Sequence, residues 1–249
     1  LGNEYAVLST YPPADGMAPK DGRAKEHRAM SIICSTNILD WSVRNMLKNQ
    51  ANSIAARRHP QLTPYWAAGL SFSRGRRIVD VPYDPYFKFL FDGEEFDLAM
   101  RLFTWGYDVY SPNVTVLYHY YTSPEENHSR NISKFWDYQW GKRFPIMFRA
   151  TRRLRHKVGI KAYIDADPLN KQTELDELDK YGTGTRRTVQ QYLDYAGIDL
   201  VKKQSPGACK EVRDGSIRPI PWNRPFPNGG PPPPRESRGK EHLACTSTS

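Results

Sequence analysis

Short apolar runs separated by polar, proline-bearing breaks dominate the hydrophobic pattern of this chain. Several of these runs are rich in β-branched and aromatic residues, which fit a pleated and half-buried surface. They predict strands over residues 5–10, 31–34, 78–81 and 114–121. Residues 38–50 alternate too weakly for any assignment.

Apolar residues at helical spacing predict the helices that lie between and after these strands. One stripe covers residues 96–103, and Gly106 follows where a glycine cap commonly ends a helix. Residues 143–158 predict a helix with a strongly basic face, and residues 174–181 and 186–195 predict a helical pair. Strands mixed with helices in no strict repeat predict an α/β fold.

From residue 204 onward the composition becomes rich in proline and glycine, which predicts a disordered tail over residues 204–249. The chain before it divides into a mixed α/β part, residues 1–141, and a basic helical extension, residues 142–203. The chain begins at Leu1 rather than at a methionine, so we interpret it as a fragment. It has no run of about 18 apolar residues that would predict a membrane span.

Charge and cysteine content narrow the choice of partners only slightly. Cys34, Cys209 and Cys245 are widely spaced and odd in number, so they predict neither a disulfide framework nor a zinc site. This usage mildly favours a reducing compartment. The formal net charge of +9 favours an anionic ligand. The basic helix therefore supports an alternative hypothesis, a module that binds nucleic acid or an acidic protein, although a solvated basic face explains it more simply.

Two short segments carry the residues best suited to chemistry. Gly69, in Trp66-Ala-Ala-Gly-Leu70, lets backbone amides approach a ligand closely because it has no Cβ, although an ordinary tight turn is the simpler explanation. Glu94 and Glu95 follow Asp92-Gly93 at a predicted helix start, where the helix dipole favours carboxylates. Capping is the simpler explanation. In apolar surroundings, a carboxylate there can also orient sugar hydroxyls or stabilise positive charge at an anomeric carbon.

Other candidate residues depend on partners that the sequence does not identify. His119 lies among tyrosines and is either a packed residue or a metal ligand whose fellow ligands come from elsewhere. Asp84 precedes a proline, which favours an extended and rigid loop. Asp165-Ala-Asp167 has the spacing of a metal motif, but it is interpreted as a turn. The sequence has no dinucleotide-binding glycine motif, Walker loop or His-Glu-x-x-His.

A series of motifs stands in a fixed order along the chain. The motifs are Trp66-Ala-Ala-Gly-Leu-Ser-Phe-Ser73, Val81-Pro-Tyr-Asp-Pro85, Phe91-Asp-Gly-Glu-Glu95, Arg101-Leu-Phe-Thr-Trp-Gly-Tyr107, Tyr110-Ser-Pro112, Tyr118-His-Tyr-Tyr121 and Lys180-Tyr-Gly-Thr-Gly-Thr-Arg-Arg-Thr188. The order of these motifs resembles that of the GlcNAc-transferase family typified by the hydroxyproline-modifying enzyme of social amoebae. The resemblance covers residues 3–203. The same core also resembles the retaining polypeptide GalNAc-transferases.

The resemblance implies a partial GT-A fold, a nucleotide-sugar-binding mixed sheet with flanking helices, that uses a divalent metal (Mn or Mg). It implies transfer of N-acetylglucosamine from UDP-GlcNAc to a protein hydroxyl, that of hydroxyproline, with retention of anomeric configuration. The expected partners are the nucleotide sugar and an acceptor protein such as the SCF ubiquitin ligase adaptor, and no nucleic acid. The expected compartment is the cytoplasm, or the Golgi lumen if an anchor precedes Leu1.

The resemblance also assigns roles to individual residues. Donor binding is assigned to residues of two turns, namely Ala68, Gly69, Leu70 and Gly93. Glu94 and Glu95 become the catalytic carboxylates, and His119 becomes a metal ligand. Acceptor-side loops contain Trp66, Tyr83 and Asp84. The family's Asp-containing metal motif and uridine-binding strands would lie before Leu1, which leaves an inactive fragment as a further alternative.

Overall fold

The structure, a computed structural model, describes residues 3–18, 29–38, 47–55, 57–131, 140–159, 164–165 and 167–223. Four of its strands are β1 Ala6–Thr10, β4 Gln61–Thr63, β5 Leu70–Ser73 and β6 Asp108–Ser111, and they form one sheet in the order β4-β6-β1-β5. β1 is parallel to β6, whereas the other two pairings are antiparallel. The strands β2 Ala29–Ile38 and β3 Leu47–Ala55 form a separate antiparallel pair.

Helices flank these sheets, so the mixed α/β fold predicted from the sequence is confirmed. In chain order they are α1 Arg76–Asp80, α2 Glu94–Thr104, α3 Pro124–Ser129, α4 Trp140–Val158, α5 Leu178–Tyr181, α6 Val189–Ala196 and α7 Cys209–Asp214. Among the residues described, no helix combines the length and the apolar character that crossing a bilayer requires.

The hydrophobic core contains residues of the sheet and residues of helices from both the α/β part and the helical extension. The predicted stripe of α2 is buried, and Phe96 and Phe103 each contact the ring of Tyr192 in α6, at centroid distances of 5.7 and 5.5 Å. Leu154 of α4 and Val7 of β1 belong to the same buried cluster. The helical extension therefore packs onto the core of the α/β part.

Glycines fix both ends of α2. Gly93 precedes the helix with φ of 110°, and a Cβ at this position would lie 3.1 Å from the Leu154 side chain. At the other end, Gly106 has φ of 90° and its amide donates to the carbonyl of Phe103. Because side chains other than hydrogen disfavour positive φ, both positions require glycine. The predicted C-terminal cap at Gly106 is confirmed.

Two predicted strands are wrong. Residues 78–81 largely belong to α1, because an apolar run this short fits either a strand or a helix turn. Residues 114–121 form no strand, and among them only His119 makes a β-bridge, to Ala14. The sheet instead uses β6, which lies between β1 and β4. Its four residues alternate between half-buried and buried positions.

A disulfide bond, which the cysteine spacing did not predict, ties the C-terminal segment to β2. Cys34 pairs with Cys209, at a sequence separation of 175. Helix α7 and residues around it pack on β2 through Ala208 and Val212, so residues 204–223 are folded although the composition predicts disorder. The pairing also removes the basis for preferring a reducing compartment. Residues 224–249, with Cys245 and most of the predicted tail, lie outside the described residues.

The basic helix α4 directs several of its cations inward, so its interpretation as a solvated face is wrong for these residues. Arg153 and Lys157 are buried and bind the carboxylate of Asp84 at 2.8 and 2.5 Å. Lys157 also binds Asp97 of α2 at 3.0 Å. Because these charges are neutralised inside the protein, they no longer support a nucleic-acid-binding module.

Asp167, from the Asp-x-Asp spacing noted in the sequence, also pairs with this helix. Oδ2 of Asp167 lies 2.8 Å from Nε of Arg152 and 3.5 Å from Nη1 of Arg155. Hydrogen bonds from Leu169 and Arg152, together with the arginine charges, outweigh partial burial and hold the pKa of Asp167 below its ordinary value. The Asp167 carboxylate therefore joins α4 to the loop that begins at residue 167.

Candidate functional site

Glu95 joins the turn that contains Gly69 to the first turn of α2. Its Oε1 accepts a hydrogen bond from the amide of Ala68 at 2.9 Å, and its Oε2 accepts one from the hydroxyl of Tyr11. The side chain of Asn49 in β3 also hydrogen-bonds to this carboxylate. Asn49 donates in addition to the carbonyl of Trp66 at 2.8 Å. One carboxylate thus holds three separate segments together.

Burial alters the acid–base properties of this contact. It raises the pKa of Glu95, although the hydrogen bonds from Tyr11 and Ala68 oppose that shift. Burial, reinforced by the charge of Glu95, also raises the pKa of Tyr11. Tyr11 therefore keeps its proton at neutral pH and remains a donor to the carboxylate.

The turn itself is supported from below by β1. The hydroxyl of Ser9 donates to the carbonyl of Ala67 at 3.0 Å and accepts from the amide of the same residue at 2.8 Å. Gly69 is exposed and lies against Pro12, whose Cδ would be 2.7 Å from a Cβ at this position. Close packing on Pro12 thus excludes side chains from position 69. Both Ala68 and Gly69 are exposed to solvent.

A shallow groove opens beside the turn at Leu70. Its walls are mostly proline and aliphatic side chains, contributed by the end of β1, by β2 and by residues 112–117. Pro12, which packs on Gly69, also lines this groove. An open groove therefore lies next to the exposed residues of the turn.

Glu94 differs from Glu95 because its side chain forms no hydrogen bond within the residues that the structure describes. It is half-buried at the start of α2. Burial, followed by the charge of Glu95, raises the pKa of Glu94 to about 7. A carboxyl group with free oxygens and a pKa near neutrality can either accept or donate a hydrogen bond to a ligand.

The raised pKa of Glu94 makes the stability of the fold depend on pH. The folded state holds this proton up to about pH 7, whereas an unfolded glutamate releases it near 4.5. The contribution of Glu94 to the free energy of unfolding should therefore be greatest below pH 4.5 and should decline until pH 7. Urea denaturation at pH 5 and pH 8 should show that Glu94→Gln gains stability relative to wild type at the higher pH. An equal difference at both pH values would contradict the raised pKa.

The acceptor-side residues of the sequence prediction lie in different environments. Trp66 is buried, and its Nε1 donates to the hydroxyl of Ser71 at 2.9 Å. Tyr83 is exposed and contacts the Trp66 ring at a centroid distance of 6.3 Å. Asp84, in contrast, is buried between Arg153 and Lys157. Its carboxylate is thus occupied by the protein itself, while Tyr83 remains available to a ligand.

His119 is exposed and makes its β-bridge to Ala14, just beyond the end of β1. Its amide donates to the carbonyl of Pro13 at 2.9 Å, its carbonyl accepts from Asp15 at 3.0 Å, and its ring lies 4.2 Å from that of Tyr121. Within the described ranges, no three His, Cys, Asp or Glu side chains come together where they could hold a metal ion. The residues present therefore do not form a complete metal site, and His119 could supply one ligand only.

Sequence reasoning missed Tyr11 and Asn49 as members of this site. Tyr11 directly follows the predicted strand at residues 5–10, where two prolines come next, and Asn49 lies in the segment without an assignment. Both residues reach Glu95 through contacts between distant parts of the chain, 84 residues apart in the case of Tyr11. No local pattern signals such a contact.

A mixed sheet with flanking helices, and a helix-start carboxylate bound to a small-residue turn, are consistent with part of a GT-A glycosyltransferase fold. Residues 1–202 match the family model described as Glycosyltransferase (GlcNAc), so the chain belongs to this family of GlcNAc glycosyltransferases. The family implies a nucleotide sugar as donor. A search of the curated proteins finds no match.

Proposed function

We propose that the protein transfers N-acetylglucosamine from UDP-GlcNAc to a protein hydroxyl, that of hydroxyproline, with retention of the anomeric configuration. The observation that carries this proposal is the bond of Glu95 to the Ala68 amide, which fixes an exposed small-residue turn beside a second carboxylate, Glu94. The family match supports the sugar, and the resemblance in motif order supports the acceptor.

Glu95 and Glu94 have different roles in this proposal. Glu95 is a positioning residue, because its oxygens are bound by Ala68 and Tyr11. Glu94 has free oxygens and would accept hydrogen bonds from the donor sugar. In its ionised form Glu94 would also stabilise the positive charge that develops on the anomeric carbon in an oxocarbenium-like transition state. Because burial raises the pKa of Glu94 to about 7, this ionised form predominates only above that pH.

The backbone of the turn would hold the sugar. Ala68 and Gly69 are exposed, and the Ser9 hydroxyl holds the preceding residue from below. Leu70 and Gly93 complete the donor-binding set of the proposal. Since a retaining transfer can pass the acceptor proton to the departing phosphate, the proposal assigns no protein group as general base.

A divalent ion, Mn or Mg, is also part of the proposal, with His119 as one ligand. When bound, such an ion would neutralise the diphosphate leaving group. Because the described residues include no group of three His, Cys, Asp or Glu side chains that could hold the ion, no step of the proposed mechanism depends on it.

The proposal predicts that the intact protein, with Mn²⁺ and UDP-GlcNAc, adds a sugar to a hydroxyproline peptide but not to the matching proline peptide. Mass spectrometry should detect the addition, and NMR coupling constants should identify an α linkage, because the donor is an α-glycosyl phosphate. A β-linked product would contradict retention. Loss of Mn²⁺-dependent transfer in His119→Ala is the expected result for a metal ligand, and unchanged metal dependence would remove that role.

A further inference from the structure

Three arginines follow β5 within four residues, and only two of them have a carboxylate partner in the part of the chain that the structure describes. Arg74 binds Glu4 with 2.5 Å between Nη1 and Oε1. Arg76 binds Asp80 with 3.1 Å between Nε and Oδ2. Arg77 forms no ion pair there, although its side chain is the most deeply buried of the three.

The guanidinium of Arg77 is left with unused donors. Arg77 is only 5 % exposed, and its Nε and Nη1 atoms are buried without a hydrogen-bond partner in the described ranges. A guanidinium keeps its charge at all physiological pH values, so burial without a partner anion is costly. Its fork of N–H groups matches the two oxygens of a carboxylate or phosphate.

Neither of the nearest acidic residues along the chain compensates this charge. The Oδ2 atom of Asp80 accepts from Tyr107 at 2.8 Å and from Arg76 at 3.1 Å. Asp84 lies between the cations of α4, as described above. Within the described residues no carboxylate pairs with Arg77, which leaves its donors open to an anion from a bound molecule.

The position of Arg77 links it to the acceptor side of the proposed site. Its Cζ lies 5.7 Å from the centre of the Tyr83 ring, and that ring lies 6.3 Å from the Trp66 ring. Trp66 comes two residues before Ala68, which binds Glu95. Tyr83 is 60 % exposed, so the buried guanidinium lies next to a ring that a ligand can reach.

We propose that Arg77 binds a carboxylate side chain of the acceptor protein, so that the preferred acceptors carry Asp or Glu close to the modified hydroxyl. This inference rests on the proposed transfer function. The competing oxyanion is the diphosphate of the donor. The acceptor is favoured because Arg77 follows the edge strand β5, whereas His119, the proposed neighbour of the diphosphate, pairs with the chain beyond β1.

The test uses pairs of hydroxyproline peptides that differ only by Glu or Gln at one position, scanned over the residues on both sides of the acceptor. For the intact wild-type protein, kcat/KM for one Glu peptide should exceed that for its Gln counterpart by about tenfold or more. The difference should appear in the KM for the acceptor peptide. Arg77→Gln should abolish that preference and leave the donor KM unchanged. Arg74→Gln is the matched control, since Arg74 is an exposed arginine of the same segment, and it should keep the preference.

Each outcome decides between the proposals. No transfer to any peptide by wild type would reject the proposed function itself. Equal transfer to the Glu and Gln peptides at every position, or a preference that persists in folded Arg77→Gln, would overturn the role of Arg77 alone. A raised KM for the donor in Arg77→Gln would identify the donor diphosphate as the anion that Arg77 binds. That result would also overturn the proposed role of Arg77 in binding the acceptor. If Arg77→Gln does not fold, Arg77→Lys, which keeps the charge but loses the planar fork, should retain only part of the preference.

Discussion

Replacing Asp84 by Asn should lower the free energy of unfolding by about 3–5 kcal/mol, the usual effect of removing one partner from a buried ion pair. The Asp84 carboxylate accepts from Arg153 and Lys157, whose side chains are fully buried, and its Oδ1 accepts from the amide of Tyr86 at 3.0 Å. Asparagine keeps the shape and the Tyr86 contact but removes the charge. Arg153 and Lys157 would then remain buried with too little negative charge around them.

Urea denaturation at pH 7 measures this effect, and Asp199→Asn is a suitable control. Asp199 pairs with Lys202 at the surface, where both side chains are exposed, so the control should leave the midpoint unchanged. Burial raises the pKa of Asp84, but the charge of Lys157 and its hydrogen bonds outweigh burial and hold the pKa below its ordinary value. The difference between wild type and Asp84→Asn should therefore narrow as the pH falls and the wild-type carboxyl is protonated. A midpoint equal to that of wild type at pH 7 would contradict the importance of the buried network.

Replacing Glu95 by Ala should reduce kcat for sugar transfer by about 100-fold, because a displacement of about 1 Å in a positioning group has effects of this size. Without the carboxylate, the Ala68 amide and the Tyr11 hydroxyl lose their shared acceptor. The turn at Gly69 would no longer be fixed against α2. The donor sugar would then bind in a range of orientations, of which few are reactive.

Glu95→Gln separates positioning from charge. A glutamine can still accept from the Ala68 amide, so this variant should keep most of the activity if Glu95 acts by holding the turn. Glu94→Gln should instead lose activity, since the proposal needs the charge of Glu94 at the anomeric carbon. Glu125→Gln, at an exposed position on α3, is the matched control and should behave as wild type. Equal activity of Glu95→Ala and wild type would reject the positioning role.

Local patterns in the sequence predicted those parts of the fold that depend on a single element. The stripe at residues 96–103 and the cap at Gly106 identified α2, because helical periodicity and a positive-φ glycine are both local signals. Residues 114–121 have strand-like composition but form no strand. Strand formation needs a neighbouring strand, and β6 occupies the place beside β1.

Contacts between distant segments could not be predicted from the sequence. The pairing of Asp84 with Arg153 joins residues 69 positions apart, and the basic residues of α4 look like a solvated face when this partner is not known. The same limit applies to the site. The turn and the helix start were recognisable as separate motifs, but only the fold shows that Glu95 contacts the turn and Glu94 does not.

The bond between Cys34 and Cys209 turns most of the chain into a covalent ring. Asn49, the Gly69 turn, both carboxylates and His119 all lie on this ring, whereas Tyr11 lies outside it. One cut of the backbone anywhere between the two cysteines would therefore open the ring without releasing a fragment. The two pieces would separate only after reduction, so a protein nicked in its surface loops could keep its parts joined as long as the cysteines stay oxidised.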